Sequence, residues 1–198
     1  MGSSEVSLEV PPYARVLKDG TIERLAGTQV VPAGLDLQTG VFSKDIVIFP
    51  QTGVSARVAR LYRPNITGTD QKLPLIVYYH GGAFCIASAP EPRTLRLYHN
   101  CLNMLVAEAR AIAVSINYRL APEHPLPIAY EDSWAVLQWV FGGEDRDDWV
   151  KDHVEFERAV FLVGDSAGPN IAHHLALRVK KSDPSLFLGE SSDWPGGG

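Results

Sequence analysis

The chain has 198 residues, of which 45% are hydrophobic and 21% charged, a composition that fits one globular domain with a sizeable core and excludes wholesale disorder. A net charge of −5 without a run of Lys or Arg gives no footprint for nucleic acid, so the expected partner is a small molecule. No apolar stretch approaches the roughly 18 residues that a membrane span requires.

In chain order, Met1-Gly2-Ser3-Ser4-Glu5-Val6 has neither the basic start nor the apolar run of a signal peptide, and Val6 spoils a near match to a myristoylation signal. The expected location is the cytoplasm. In that setting Cys85 and Cys101 are expected as reduced, buried thiols, and Asn65-Ile66-Thr67 as a plain loop although it fits a glycosylation sequon. Residues 1–40 mix Pro, Gly and short apolar patches, with a turn expected at Lys18-Asp19-Gly20; pattern alone assigns them no role. Strands are predicted at 44–49 and 56–62, with Gly53 between them in a hairpin. Leu75-Ile76-Val77-Tyr78-Tyr79 is a continuous apolar run, the signature of a strand covered on both faces.

A helix is predicted over 94–109, where Leu95, Tyr98, Leu102 and Leu105 recur at helical spacing. A buried strand at 111–116 and a helix at about 130–140 follow. A polar, acidic stretch at 144–152 then precedes a third apolar strand at 159–163 and a helix at about 168–179. Strands alternating with helices predict an α/β fold with a mostly parallel sheet, and the antiparallel strands before Leu75 at its edge. The predicted division is an N-terminal segment of residues 1–40, an α/β unit of 41–180, and a loose tail of 181–198 rich in Ser, Asp, Pro and Gly.

The chemistry is concentrated in two glycine-rich turns. Gly164-Asp165-Ser166-Ala167-Gly168 matches G-x-S-x-G, between an apolar strand and a helix. A serine at the apex of such a turn has strained backbone angles, and the flanking Gly164 and Gly168 let neighbouring chain pass closely. Ser166 is therefore the expected nucleophile. Directly after the strand ending at Tyr79 comes His80-Gly81-Gly82-Ala83-Phe84. Attack on an ester puts negative charge on the former carbonyl oxygen, so donors must already face it. The amides of Gly81, Gly82 and Ala167 are the expected donors, with the His80 ring supporting the loop and Asp165 a scaffold residue. Neither turn calls for a metal.

These two segments, with Asn117-Tyr118-Arg119-Leu120-Ala121-Pro122-Glu123-His124-Pro125 between them, resemble the hormone-sensitive-lipase group of α/β-hydrolases. The wording around them, including Tyr130-Glu131-Asp132-Ser133-Trp134, is similar to the plant carboxylesterases, over roughly residues 10–180. The resemblance implies an α/β-hydrolase fold, a cofactor-free esterase acting on small esters through an acyl-serine, an N-terminal segment that helps cap the acyl pocket, and a structural His124. Pro169 departs from the small residue usual at its position, which the first turn of a helix tolerates.

The fold's triad runs Ser, then Asp or Glu, then His, yet no histidine follows His174. His173 and His174 belong to the helix after Ser166, and eight residues of helix rise about 12 Å. Asp183 and Asp193 sit in the tail. The expectation is of a truncated chain with impaired activity, and of self-association through the sheet edge left open at 159–163. The alternatives are a non-catalytic ligand-binding protein on the scaffold of the gibberellin receptors, or an inactive fragment.

Overall fold

The computed structural model describes residues 5–26, 28, 30–48, 57–66, 68, 71–89, 98–142, 145–157 and 160–182. The hairpin turn at Gly53, Leu95 and the start of the first helix, Thr67 of the sequon, and Asp183, Asp193 and the rest of the tail lie outside the described residues.

The first segment folds into three antiparallel strands, β1 (Val6–Val10), β2 (Ala14–Leu17) and β3 (Ile22–Arg24), in the order β1-β2-β3. The expected turn joins β2 to β3: Gly20 takes φ 86°, its N–H donates to Leu17 O, and the Asp19 carboxylate accepts from Thr21 N. These strands escaped the sequence reading because they are short and half-buried or exposed, so no alternation marks an inner face.

The main sheet comprises β4 (Phe42–Ile48), β5 (Arg57–Arg63), β6 (Leu75–Tyr79), β7 (Ile112–Asn117) and β8 (Val160–Gly164), in the order β4-β5-β7-β6-β8. β4, β5 and β7 pair antiparallel; β7, β6 and β8 pair parallel. Every residue of β6 is buried, because the two-residue side-chain period feeds both faces of the sheet. Ile76 and Tyr78 join one core with α1 (Tyr98–Ala109), through Leu102 and Val106. Leu75, Val77 and Tyr79 join the other core with α2 (Ile128–Gly142) and α4 (Ala167–Lys181), through Leu137, Val140, Ile171 and Leu175. α1 stops at Arg110, which adopts a left-handed φ of 48° and cannot continue the helix.

Two expectations need correction. The acidic stretch holds a helix, α3 (Asp148–His153), too short for periodicity to reveal; its signals were the N-cap Asp147, which accepts from Trp149 N, and the basic Lys151 and His153 of the last turn. Among the described residues β8 pairs on one side only, and its Phe161 is 52% exposed. Cys85 and Cys101 are free thiols as expected, but exposed ones. Cys101 lies on α1 beside Leu102, which reaches the core, and Cys85 in a turn where its N–H donates to Gly82 O.

A half-buried ion pair ties two of the sequence segments that carried the resemblance. Arg119 donates from Nε and Nη2 to the fully buried Asp132 carboxylate at 2.9 and 2.8 Å, and its backbone N–H adds a third bond at 3.0 Å. The hydrogen-bonded carboxylate raises the Arg119 pKa above its ordinary value. On the opposite face of the sheet the buried Arg60 grips Asp45 with two bonds and Val31 O with a third, fastening residues 31–45 to β5.

Candidate active site

Strand β8 ends at Gly164 and α4 begins at Ala167, so Ser166 occupies the turn between them. Its φ of 50° and ψ of −105° are unusual for a residue with a Cβ, and its side chain makes no capping bond to the helix; Ser166 is exposed. Pro169 falls in the first turn of α4, where its missing N–H leaves no helical bond unmade. The two glycines of the motif are sites of close approach. A Cβ on Gly164 would meet Tyr79 O at 2.5 Å, and one on Gly168 would meet the same oxygen at 1.9 Å. The end of β6 therefore lies directly against the elbow.

Parallel pairing of Tyr79 with Gly164 sends both glycine-rich turns out of the same end of the sheet. Asp165 joins them. Its carboxylate accepts from Gly81 N at 2.9 Å, Tyr78 Oη at 3.1 Å and Tyr98 Oη at 3.0 Å. Burial and the neighbouring Asp165 charge push the Tyr78 phenol well above its usual pKa, so it remains a donor. The scaffold role expected for Asp165 thus has three named partners. In sequence Tyr78 and Tyr98 read only as apolar positions of a strand and a helix; the alternation within β6, which puts Tyr78 on the α1 side, is the signal for the polar role.

Gly81 requires a correction. Its N–H is directed at Asp165 and Tyr98 Oη, so it is not available to a substrate oxygen. The next two residues differ: the N–H groups of Gly82 and Ala83 donate to nothing among the described residues. Ala167 opens α4, and the first N–H of a helix has no acceptor within it. Gly82, Ala83 and Phe84 take φ values of 102°, 52° and 63°, a left-handed run closed by Cys85 N and Ile86 N donating to Gly82 O. Ala83 was passed over because a residue with a Cβ gives no hint of such a backbone.

His80 is fully buried and stacks on Tyr118 at 4.1 Å between ring centroids. Its Nδ1 lies 2.7 Å from Gly81 O, an atom that only accepts, so Nδ1 carries the hydrogen. Burial lowers its pKa to about 4, and the ring is neutral at pH 7. Tyr118 Oη donates to His80 O at 2.6 Å, completing the support beneath the glycines. The remaining histidines serve other places. His99 belongs to the Arg60 side of the sheet, contacting Tyr62 Oη at 3.0 Å; His124 N closes a turn onto Leu120 O; His153 ends α3, its carbonyl accepting from Leu73 N; His173 and His174 are exposed on α4, the latter ring against Tyr130.

Comparison with known proteins bears on the fold and the family. The α/β-hydrolase fold family model matches residues 76–189. Among curated proteins, a probable carboxylesterase 2 of Arabidopsis thaliana is 55% identical over 184 residues, covering 93% of this chain and 55% of the relative. A 2-hydroxyisoflavanone dehydratase of Glycyrrhiza echinata is 47% identical, covering 89% of this chain and 54% of its own. Among solved structures, a thermostable carboxylesterase cloned from a metagenomic library aligns with a TM-score of 0.59 and 31% identity, over 81% of this chain and 46% of that one. The chain spans about half the length of the curated relatives it matches. With the family model covering more than half of its residues, the chain belongs to the α/β-hydrolase fold family.

Proposed function

We propose that the protein acts on small esters as a serine carboxylesterase, with Ser166 as nucleophile. Ser166 Oγ attacks the ester carbonyl carbon as its hydroxyl proton passes to solvent water, the carbonyl electron pair moves onto oxygen, and the Gly82, Ala83 and Ala167 amides receive that charge. Collapse breaks the bond to the leaving alkoxide, which takes a proton back from water as the alcohol, and a further water hydrolyses the acyl-serine to the acid and free Ser166. The observation that carries this reading is the strained Ser166 backbone at the strand-to-helix turn, beside a left-handed run whose Gly82 and Ala83 amides donate to nothing among the described residues. One missing oxyanion donor costs about 2.7–4 kcal/mol of barrier, so three amides in this role supply a large share of the rate.

These 198 residues turn esters over slowly in this reading. None of the described histidines bonds to Ser166, and those on α4 lie seven and eight residues up the helix, about 10–12 Å of rise. Donors and binding without a full triad leave about 10³–10⁴-fold catalysis over water. Incubation with a fluorophosphonate should modify Ser166 slowly, with the adduct on its peptide by mass spectrometry and absent in Ser166→Ala. The rate should change less than about threefold in a His173→Ala/His174→Ala double variant, since exposed side chains that distant make no transition-state contact. Labelling that ignores Ser166 rejects the reading; a large loss in the double variant gives one of those histidines the role of base.

The dehydratase among the relatives makes a lyase the second outcome to watch for in product analysis. No described helix is long and apolar enough to cross a membrane. The two exposed free thiols support a reducing compartment, and we place the protein in the cytoplasm. A fluorescent fusion sorted to an organelle would reject that placement. We also propose self-association through β8.

A further inference from the structure

We infer that Arg24, on β3 of the N-terminal sheet, is a positioning residue for the turn at 82–86. Its guanidinium grips the Cys85 and Ala121 carbonyls and the Glu123 carboxylate at once, and thereby sets where the Gly82 and Ala83 amides lie. Nε donates to Cys85 O at 2.7 Å, Nη1 to Glu123 Oε1 at 2.7 Å, and Nη2 to Glu123 Oε2 at 2.6 Å and to Ala121 O at 3.1 Å. These partners lie 61 to 99 residues away in sequence, on two loops that have no strand in common.

The turn needs such a hold. Ala83, Phe84 and Ala87 all have positive φ despite carrying a Cβ, at 52°, 63° and 74°. A backbone of that kind persists only where its surroundings over-determine it. Inside the turn, Cys85 N and Ile86 N bond to Gly82 O; outside it, Ala121 N bonds to Phe84 O and Arg24 to Cys85 O. Arg24 and Ala121 also touch each other, so turn, 119–123 loop and β3 close one ring of contacts. A lone surface ion pair is worth little, but this one is a planar fork with two backbone carbonyls added, and its Arg is only 19% exposed. The pairing holds the Glu123 carboxyl well below its ordinary range, at about 2. Lysine, a single point of charge with no fork, cannot span the same three acceptors.

The inference rests on the reading of Ser166 as nucleophile, and one experiment separates the two. Fluorophosphonate labelling is followed to completion at saturating probe for the wild type, Arg24→Ala, Arg24→Lys, Glu123→Gln and Ser166→Ala. Two quantities are read: the rate constant and the fraction finally labelled. Displaced amides slow the chemistry by about tenfold in both Arg24 variants and about threefold in Glu123→Gln, with the labelled fraction complete. A merely structural role instead lowers the labelled fraction and leaves the rate constant of the folded molecules unchanged, which overturns the inference. So does a wild-type rate in Arg24→Ala while Ser166→Ala stays unlabelled. Labelling that survives in Ser166→Ala overturns the underlying reading and this inference with it. Should Arg24→Ala not fold, Glu123→Gln decides alone, a slowed rate supporting the clamp and an unchanged one rejecting it.

Discussion

Gly168→Ala is expected to unfold the elbow locally, lowering the thermal midpoint and slowing Ser166 labelling by about 100-fold, the loss that an ångström of misplacement can cause. The added Cβ would stand 1.9 Å from Tyr79 O, 2.9 Å from Tyr79 C and 3.4 Å from His80 O. All three are backbone atoms of a buried strand end, so no side chain can swing aside to make room. Either α4 tilts away from β6, which opens the core at Ile171 and Leu175, or β6 moves and drags the 80–86 turn with it. Overpacking of this kind costs about 1–3 kcal/mol and sometimes more. Gly142→Ala is the matched control: nothing lies within 4 Å of its added Cβ, so stability and labelling should remain at wild-type values. Calorimetry alongside the labelling assay checks both. An unperturbed Gly168→Ala would mean that β6 and the elbow do not touch as described.

That contact explains how much of the site was legible in advance. The motif glycines announced a close approach, and the apolar strand before them fixed where the approach would occur, so the elbow could be placed from sequence. The partner surface could not. Whether the Gly81 amide points toward a substrate or toward Asp165 depends on a side chain 84 residues further along, and no local pattern encodes it. Arg24 illustrates the same limit: a single basic residue in a short, half-exposed strand has no periodicity, and its importance comes from two loops that only the fold brings to it. Conversely, β6 and α2 were read with little error because burial on the sheet's two faces and on a helix stripe writes itself directly into hydrophobic order. Along β8 the two faces divide: Val160 and Leu162 pack against the core shared with α4, whereas Phe161 and Val163 line a groove on the α1 side.

At that groove the expected result is a concentration-dependent dimer or larger species, converted to monomer by Phe161→Lys. β8 is the last strand of the described sheet beyond β6, so its outer backbone groups have no ladder partner among the described residues. Phe161 projects on the same face as its register partner Ile76, beside Pro74, Leu105, Ala109, Ala111 and Val163, which together line an apolar groove of about 210 Å³. An unpaired, uncharged edge with an exposed ring beside it is a template for another strand, and two copies can satisfy each other antiparallel about a twofold axis. A lysine at 161 puts a charge into each copy's groove and sets two like charges close together across the axis. That should abolish pairing while leaving the core untouched, because the ring it replaces is half-exposed. Leu177→Lys is the control, since Leu177 is exposed on α4, across the sheet from the groove, and its variant should associate like the wild type. Sedimentation velocity over a dilution series measures all three proteins. A wild type that sediments as a monomer throughout rejects edge pairing. Association that survives Phe161→Lys but is lost in Leu177→Lys moves the interface to the α4 side of the molecule.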